Sequence, residues 1–177
     1  MKSKLGREKT DRESWLGRQV FAYFGLAMYW AQCIEHGIAN VVAATGQREG
    51  TITTQDEFAN DHAAMLRKTM GHARTELLKR RPDLTEFEDK LRRAVKLRNF
   101  LAHDYFRERT AAFMTTEGKE AMVRELERAV EFMESVNDDF VALSLDMVEA
   151  MGATEEVLSE IYERLPTGGF GDPLPGL

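Results

Sequence analysis

Residues 120–151, EAMVRELERAVEFMESVNDDFVALSLDMVEAM, decide the fold class of this chain. Met122, Leu126, Ala129, Met133, Val136, Phe140, Leu143 and Met147 follow one another at steps of four and three. That is the period of a helix with one buried stripe, and no proline interrupts it. The spacing predicts a long helix from about Glu117 to Met151, with a seam that serves a helical bundle or a coiled coil equally well.

Working back from that helix, the same period recurs. Val20, Phe24, Ala27, Ala31, Ile34, Ile38 and Val41 predict a first helix over roughly Ser14 to Ala44. Phe21, Tyr23, Met28 and Trp30 widen its apolar stripe beyond what one neighbour can cover, so it needs two or more packing partners or a second subunit. Gly46 and Gly50 mark its exit, and Thr51–Thr54 read as a β-branched connector. A second helix is expected from about Gln55 to Lys79, closed by Pro82. Thr85 followed by Glu88 fits a capping box opening a third helix, roughly Thr85 to Tyr105. A loop over Arg107–Met114 is expected next, with Thr115 or Thr116 capping the long helix. Gly152 ends that helix, Thr154 can cap a short fifth one to about Leu165, and a flexible Gly/Pro-rich tail fills 166–177. The expectation is all-α: one domain over 1–165, folded as an up-and-down four- to five-helix bundle.

Composition agrees. Of the 4 Pro in 177 residues, three (Pro166, Pro173, Pro175) lie in the last dozen positions, which leaves the body almost free of helix breakers. Cys33 is the single cysteine, so an internal disulfide and a cysteine-based zinc cluster are excluded, and a reducing cytoplasm is the natural compartment. Met1–Ser14 is polar with both charge signs, unlike a secretory signal. Val20–Ile34 carries no charge but is shorter than the ~20 apolar residues a spanning helix needs, so it reads as buried rather than membranous. The net charge of -6 is unevenly spread. Arg67–Arg109 holds thirteen Lys/Arg against seven Asp/Glu, whereas Thr110–Leu177 holds four against fifteen. A basic segment of that kind admits a nucleic-acid partner, although charged helix faces are most often simply solvated.

Inside the basic segment stands Arg98-Asn99-Phe100-Leu101-Ala102-His103, followed by Asp104 and Tyr105. A guanidinium grips phosphate through paired hydrogen bonds, and an imidazole moves protons near neutral pH. Together they point to phosphodiester chemistry without a metal. On an ideal helix five steps leave Arg98 and His103 about 140° apart. They can meet on one substrate if the helix loosens between Leu101 and His103, or if a two-fold dimer brings two copies together. Tyr105, seven residues after Arg98, returns to within about 20° of it. The plain alternatives are that Arg98 pairs with Asp104 or Glu108, that His103 caps the helix end, and that Tyr105 and Phe106 belong to the core.

The R-x4-H spacing, with a polar Asn after the Arg and Tyr105 completing R-x4-H-x-Y, resembles HEPN domains and in particular the HepT-like toxins of bacterial toxin–antitoxin pairs. The resemblance implies an α-helical bundle, usually a homodimer, with the motif near the end of the third long helix facing a cleft between subunits. It implies a metal-independent endoribonuclease needing no cofactor, in which Arg98 stabilises the phosphorane-like transition state and His103 is the acid/base for 2′-OH attack. Asn99 and Asp104 would support the motif. Tyr105 would contact substrate or accept a nucleotidyl group from an antitoxin nucleotidyltransferase. Other family members are catalytically silent and bind a nucleotide, RNA or protein partner.

Three weaker features complete the reading. Cys33 and His36 lie three apart on one helix face, but a lone thiol in an apolar helix is usually packing. Glu35 and His36 interrupt the apolar run, and an interhelical salt link is the expected role. Asp61, His62 and His72 match no metal-ligand spacing.

Overall fold

The computed structural model describes residues 11–150. The short fifth helix and the tail expected from the sequence lie outside the described residues, as do residues 1–10. Within them the elements are α1 (Arg12–Arg48), α2 (Gln55–Leu66), α3 (Met70–Arg80), a 3-10 segment (Pro82–Phe87), α4 (Glu88–His103), α5 (Tyr105–Glu108), α6 (Thr110–Phe113) and α7 (Thr116–Ala150). Every described element is helical.

Local chemistry sets most of the helix starts. Asp11 accepts from the Ser14 amide at 2.8 Å to open α1. Thr54, the last residue of the β-branched connector, forms a reciprocal capping box with Glu57, and α2 starts at Gln55 as its spacing predicts. Thr115 accepts from the Gly118 amide at 3.0 Å to open α7. Where the sequence predicts one helix over Gln55–Lys79, the chain breaks at Arg67–Thr69, because Thr69 takes the His72 amide and starts a new helix. The capping box expected at Thr85 and Glu88 does not form. The Thr85 hydroxyl donates instead to the Pro82 carbonyl at 2.6 Å, within the 3-10 turns that Pro82 begins. The predicted loop over Arg107–Met114 is largely two single helical turns, α5 and α6.

Among the described residues the five longer helices, α1, α2, α3, α4 and α7, run alternately up and down. α1 and α7, first and last, point the same way and lie side by side. Glu13 bonds Lys119 at 2.7 Å near their starts, and Gly37 meets Phe140 further along. Gly37 permits this approach, since a Cβ there would stand 2.9 Å from both Cβ and Cγ of Phe140. α4 runs antiparallel to both, tied to α1 by Arg98–Glu35 and to α7 by Lys90, which bonds the Ser135 carbonyl and the Asp139 carboxylate. The seam predicted for the last helix is buried: Met122, Leu126, Met133, Val136 and Phe140 are at most 1% exposed.

The core falls into two clusters along this axis. One gathers Ile34, Ile38, Met70, Leu77, Leu91, Met133 and Phe140, with Phe87 set edge-to-face on Phe140 at 5.3 Å. The other gathers Val20, Ala27, Leu101, Tyr105, Met122 and Leu126 under an aromatic group of Phe24, Phe100 and Phe106. α4 bridges the two and carries the sequence motif at its C-terminal end.

Candidate functional site

α4 stays helical through His103. It ends only at Asp104, whose φ of -124° and ψ of -25° leave the helical range while its amide still bonds the Phe100 carbonyl at 2.9 Å. The loosening between Leu101 and His103 that would swing the imidazole towards Arg98 is therefore not present. Within one copy the two side chains leave the helix about 140° apart. The basis is packing: Leu91, Ala94 and Leu101 bury the side of α4 that faces the bundle, and Arg98 falls between Leu91 and Ala94 on that same side.

Arg98 reaches across to α1, where its guanidinium sits 3.3 Å from the Glu35 carboxylate. Both side chains keep 28% of their surface, so the pair is partly open to solvent. A second guanidinium nitrogen donates to the Asn99 side-chain oxygen at 3.3 Å. The charge that interrupts the apolar run of α1 thus makes the interhelical link expected of it, and neither Asp104 nor Glu108 is the partner. Asp104 instead holds Arg107, and Glu108 lies near Arg107 and Arg109.

His103 is exposed in the last turn of α4 and makes no hydrogen bond among the described residues. Arg92, Lys96, Asn99 and His103 are all exposed and, at steps of four, three and four, fall within about 60° of one another. The imidazole therefore ends a polar, cationic strip on the solvent side of α4. Sequence reading had the motif but not this strip, although the spacing of those four residues contains it.

Tyr105, four residues after Leu101 and eleven after Ala94, continues the buried side of α4 and is 1% exposed, in the core as its plain alternative reading had it. Its ring stacks on Phe24 and meets Phe100 and Phe106 edge-on, and its hydroxyl donates to the Met122 carbonyl at 3.4 Å. Burial pushes the phenol well above its ordinary pKa, with Glu125 adding to the shift and Arg109 opposing it. Such a group is neither an acid near neutral pH nor reachable from solvent.

The remaining candidates separate. His36 turns to His62, ring to ring at 5.8 Å, rather than to Cys33. Burial, and then the neighbouring His36, hold His62 below the usual histidine range. No group of three His, Cys, Asp or Glu among the described residues is arranged to hold a metal ion. No described helix is long and apolar enough to cross a membrane. No family model, curated protein or solved structure matches this chain.

Proposed function

We propose that the chain is a HEPN-type, metal-independent endoribonuclease, of the kind that serves as the toxin of a bacterial toxin–antitoxin or defence pair, and that a second copy completes its cleavage centre. One observation carries the reading. Arg98 and His103, the two groups phosphodiester cleavage needs, both reach solvent from one unbroken helix, yet too far round it to share a phosphate within a single chain.

A second copy has a surface to use. Trp15, Ala22, Leu26 and Tyr29 follow one another along the outer side of α1 at steps of seven, four and three. Trp15 and Tyr29 keep about half of their surface, 51% and 54%. Aromatic faces left open in this way mark association sites more often than solvated surface.

In the dimer, one imidazole takes the proton of the RNA 2′-OH as that oxygen attacks the adjacent phosphorus. The second copy's imidazolium gives a proton to the departing 5′ oxygen, leaving a 2′,3′-cyclic phosphate and a free 5′-OH. Arg98 stabilises the charge on the phosphorane. A positioned acid or base contributes typically ~10²–10⁴ in rate, so two imidazoles make a competent nuclease where one makes a slow one.

A second reading has its own support. Glu35 beside Arg98 already neutralises the guanidinium, as suits a catalytically silent relative that binds a nucleotide, RNA or protein partner. Incubating wild type, Arg98→Ala and His103→Ala with tRNA and mRNA in EDTA separates the two. Cleavage lost in both variants, with helicity and mass in solution unchanged, supports the nuclease. Binding without turnover in wild type supports the silent form, and cleavage persisting in both variants refutes the site. An adenylylating antitoxin would have to open the α5–α6 turns to reach Tyr105.

A further inference from the structure

Between α4 and α7 runs an open groove of about 360 Å³ whose walls carry Arg93, Lys96 and Arg128 over a floor of Leu97, Ala129 and Phe132. The Arg93 guanidinium carbon lies over the Phe132 ring, 4.7 Å from its centroid, which fixes one cation at the groove wall without using its hydrogen-bond donors. Glu125 is the single carboxylate in the lining, and Arg109 already holds it with two hydrogen bonds of 2.9 and 2.7 Å. Three cations therefore face the groove with no uncommitted acid among its lining residues. This concentration stands out in a chain of net charge -6.

Lys96 belongs both to this groove and to the exposed strip of α4 that ends at His103. The two residues are seven apart, about 20° round the helix and roughly 10 Å along it. An anion chain lying in the groove is thereby led towards the imidazole. Cations spaced along a trough with an apolar, partly aromatic floor are the features by which single strands are held, phosphates on the walls and bases on the floor.

We propose that the α4–α7 groove is the binding track for a single-stranded RNA segment, with Lys96 and Arg128 on its phosphates and Arg93 fixed over Phe132 beside a base. The track deepens the nuclease reading, because it delivers the strand to His103, but binding can be tested apart from cleavage. The probe is a fluorescein-labelled, 2′-O-methylated RNA oligonucleotide, which lacks the attacking hydroxyl, titrated by anisotropy in EDTA at several salt concentrations.

Lys96→Gln with Arg128→Gln leaves Arg93 on its ring, so the double variant keeps the fold, which its melting curve checks. Loss of two phosphate contacts should weaken binding by about tenfold or more and flatten the salt dependence by about 1.4 in slope. Lys79→Gln on exposed α3 should change neither.

Wild-type binding that the double variant retains overturns the track, as does displacement of the RNA by an equal charge of poly-glutamate, which would make the groove a site for acidic peptides. Absence of binding by wild type overturns it as well. If cleavable RNA is cut equally well by wild type and the double variant, the track fails while the nuclease stands. If the groove binds as described and no RNA is ever cut, the nuclease fails while the track stands.

Discussion

Replacing Tyr105 with Phe removes one oxygen from the centre of the second core cluster. That oxygen donates to the Met122 carbonyl at 3.4 Å, well beyond the 2.7–2.8 Å common for a hydroxyl donor, with the Glu125 carboxylate also beside it. The hydrogen bond therefore falls at the weak end of the usual range, about 0.5 kcal/mol, and its loss should lower Tm by about 1–2 °C for a chain of this length. The ring itself is the larger quantity. With 1% exposure and three aromatic neighbours, Tyr105→Ala should cost about 3–5 kcal/mol, as other large-to-small aromatic truncations do. Circular dichroism melts of the two variants measure both values, and RNA cleavage in EDTA is read on the same samples. The Phe variant should melt almost with wild type and cleave as it does. A Phe variant of normal stability that has lost cleavage would refute the reasoning, because the phenol would then be touching substrate.

Glu35→Gln should lower stability by about 0.5–1 kcal/mol, as expected of a half-exposed ion pair, while releasing Arg98 and raising kcat/KM for RNA several-fold; an unchanged value would mean that the guanidinium does not meet phosphate. Gly37→Ala forces a Cβ to 2.9 Å from Phe140 and should cost about 1–3 kcal/mol in a urea titration. Gly118→Ala should be worse, since its Cβ would lie 2.0 Å from the Ala112 carbonyl oxygen, a backbone atom that cannot swing aside; equal midpoints for the two variants would contradict the packing described. His62 is held neutral by burial and by His36, so the folded state binds its proton less readily than the unfolded chain. Its contribution is intact above the unfolded pKa near 6.5 and falls as pH drops below that value. His62→Asn should flatten the loss of urea stability between pH 7 and 5.5, and an unaltered slope would assign that loss elsewhere.

The long helices were legible because each carries a stripe of period 3.6 and lacks proline. Val20, Ala27 and Ile34 on α1, and Met122, Leu126 and Met133 on α7, are buried where their spacing puts them. The connections were not legible, because small polar side chains decide them through competing hydrogen bonds. Thr54, Thr69 and Thr85 look alike in sequence; the first two accept amide protons and start helices, while the third donates to a carbonyl beside Pro82. Glu35 was legible as an interhelical link, but Arg98 as its partner required three dimensions. Tyr105 was legible as a core residue, because it stands four after Leu101 and eleven after Ala94, both buried. In the α4–α7 groove Arg128 joins Lys96 and Arg93 from 32 and 35 residues further along the chain, which no local motif connects.

The parallel contact between α1 and α7 has a consequence for how the protein is made. The buried side of α1 is covered by residues translated about a hundred codons later, so at synthesis rates of about 5–20 residues per second the uncharged run Val20–Ile34 waits about 5–20 s before its cover emerges. A nascent chain in that condition is a natural client for a chaperone. Neither core cluster can close until α7 has been synthesised, so a truncated product lacking it would expose the greasy side of α1 and clump.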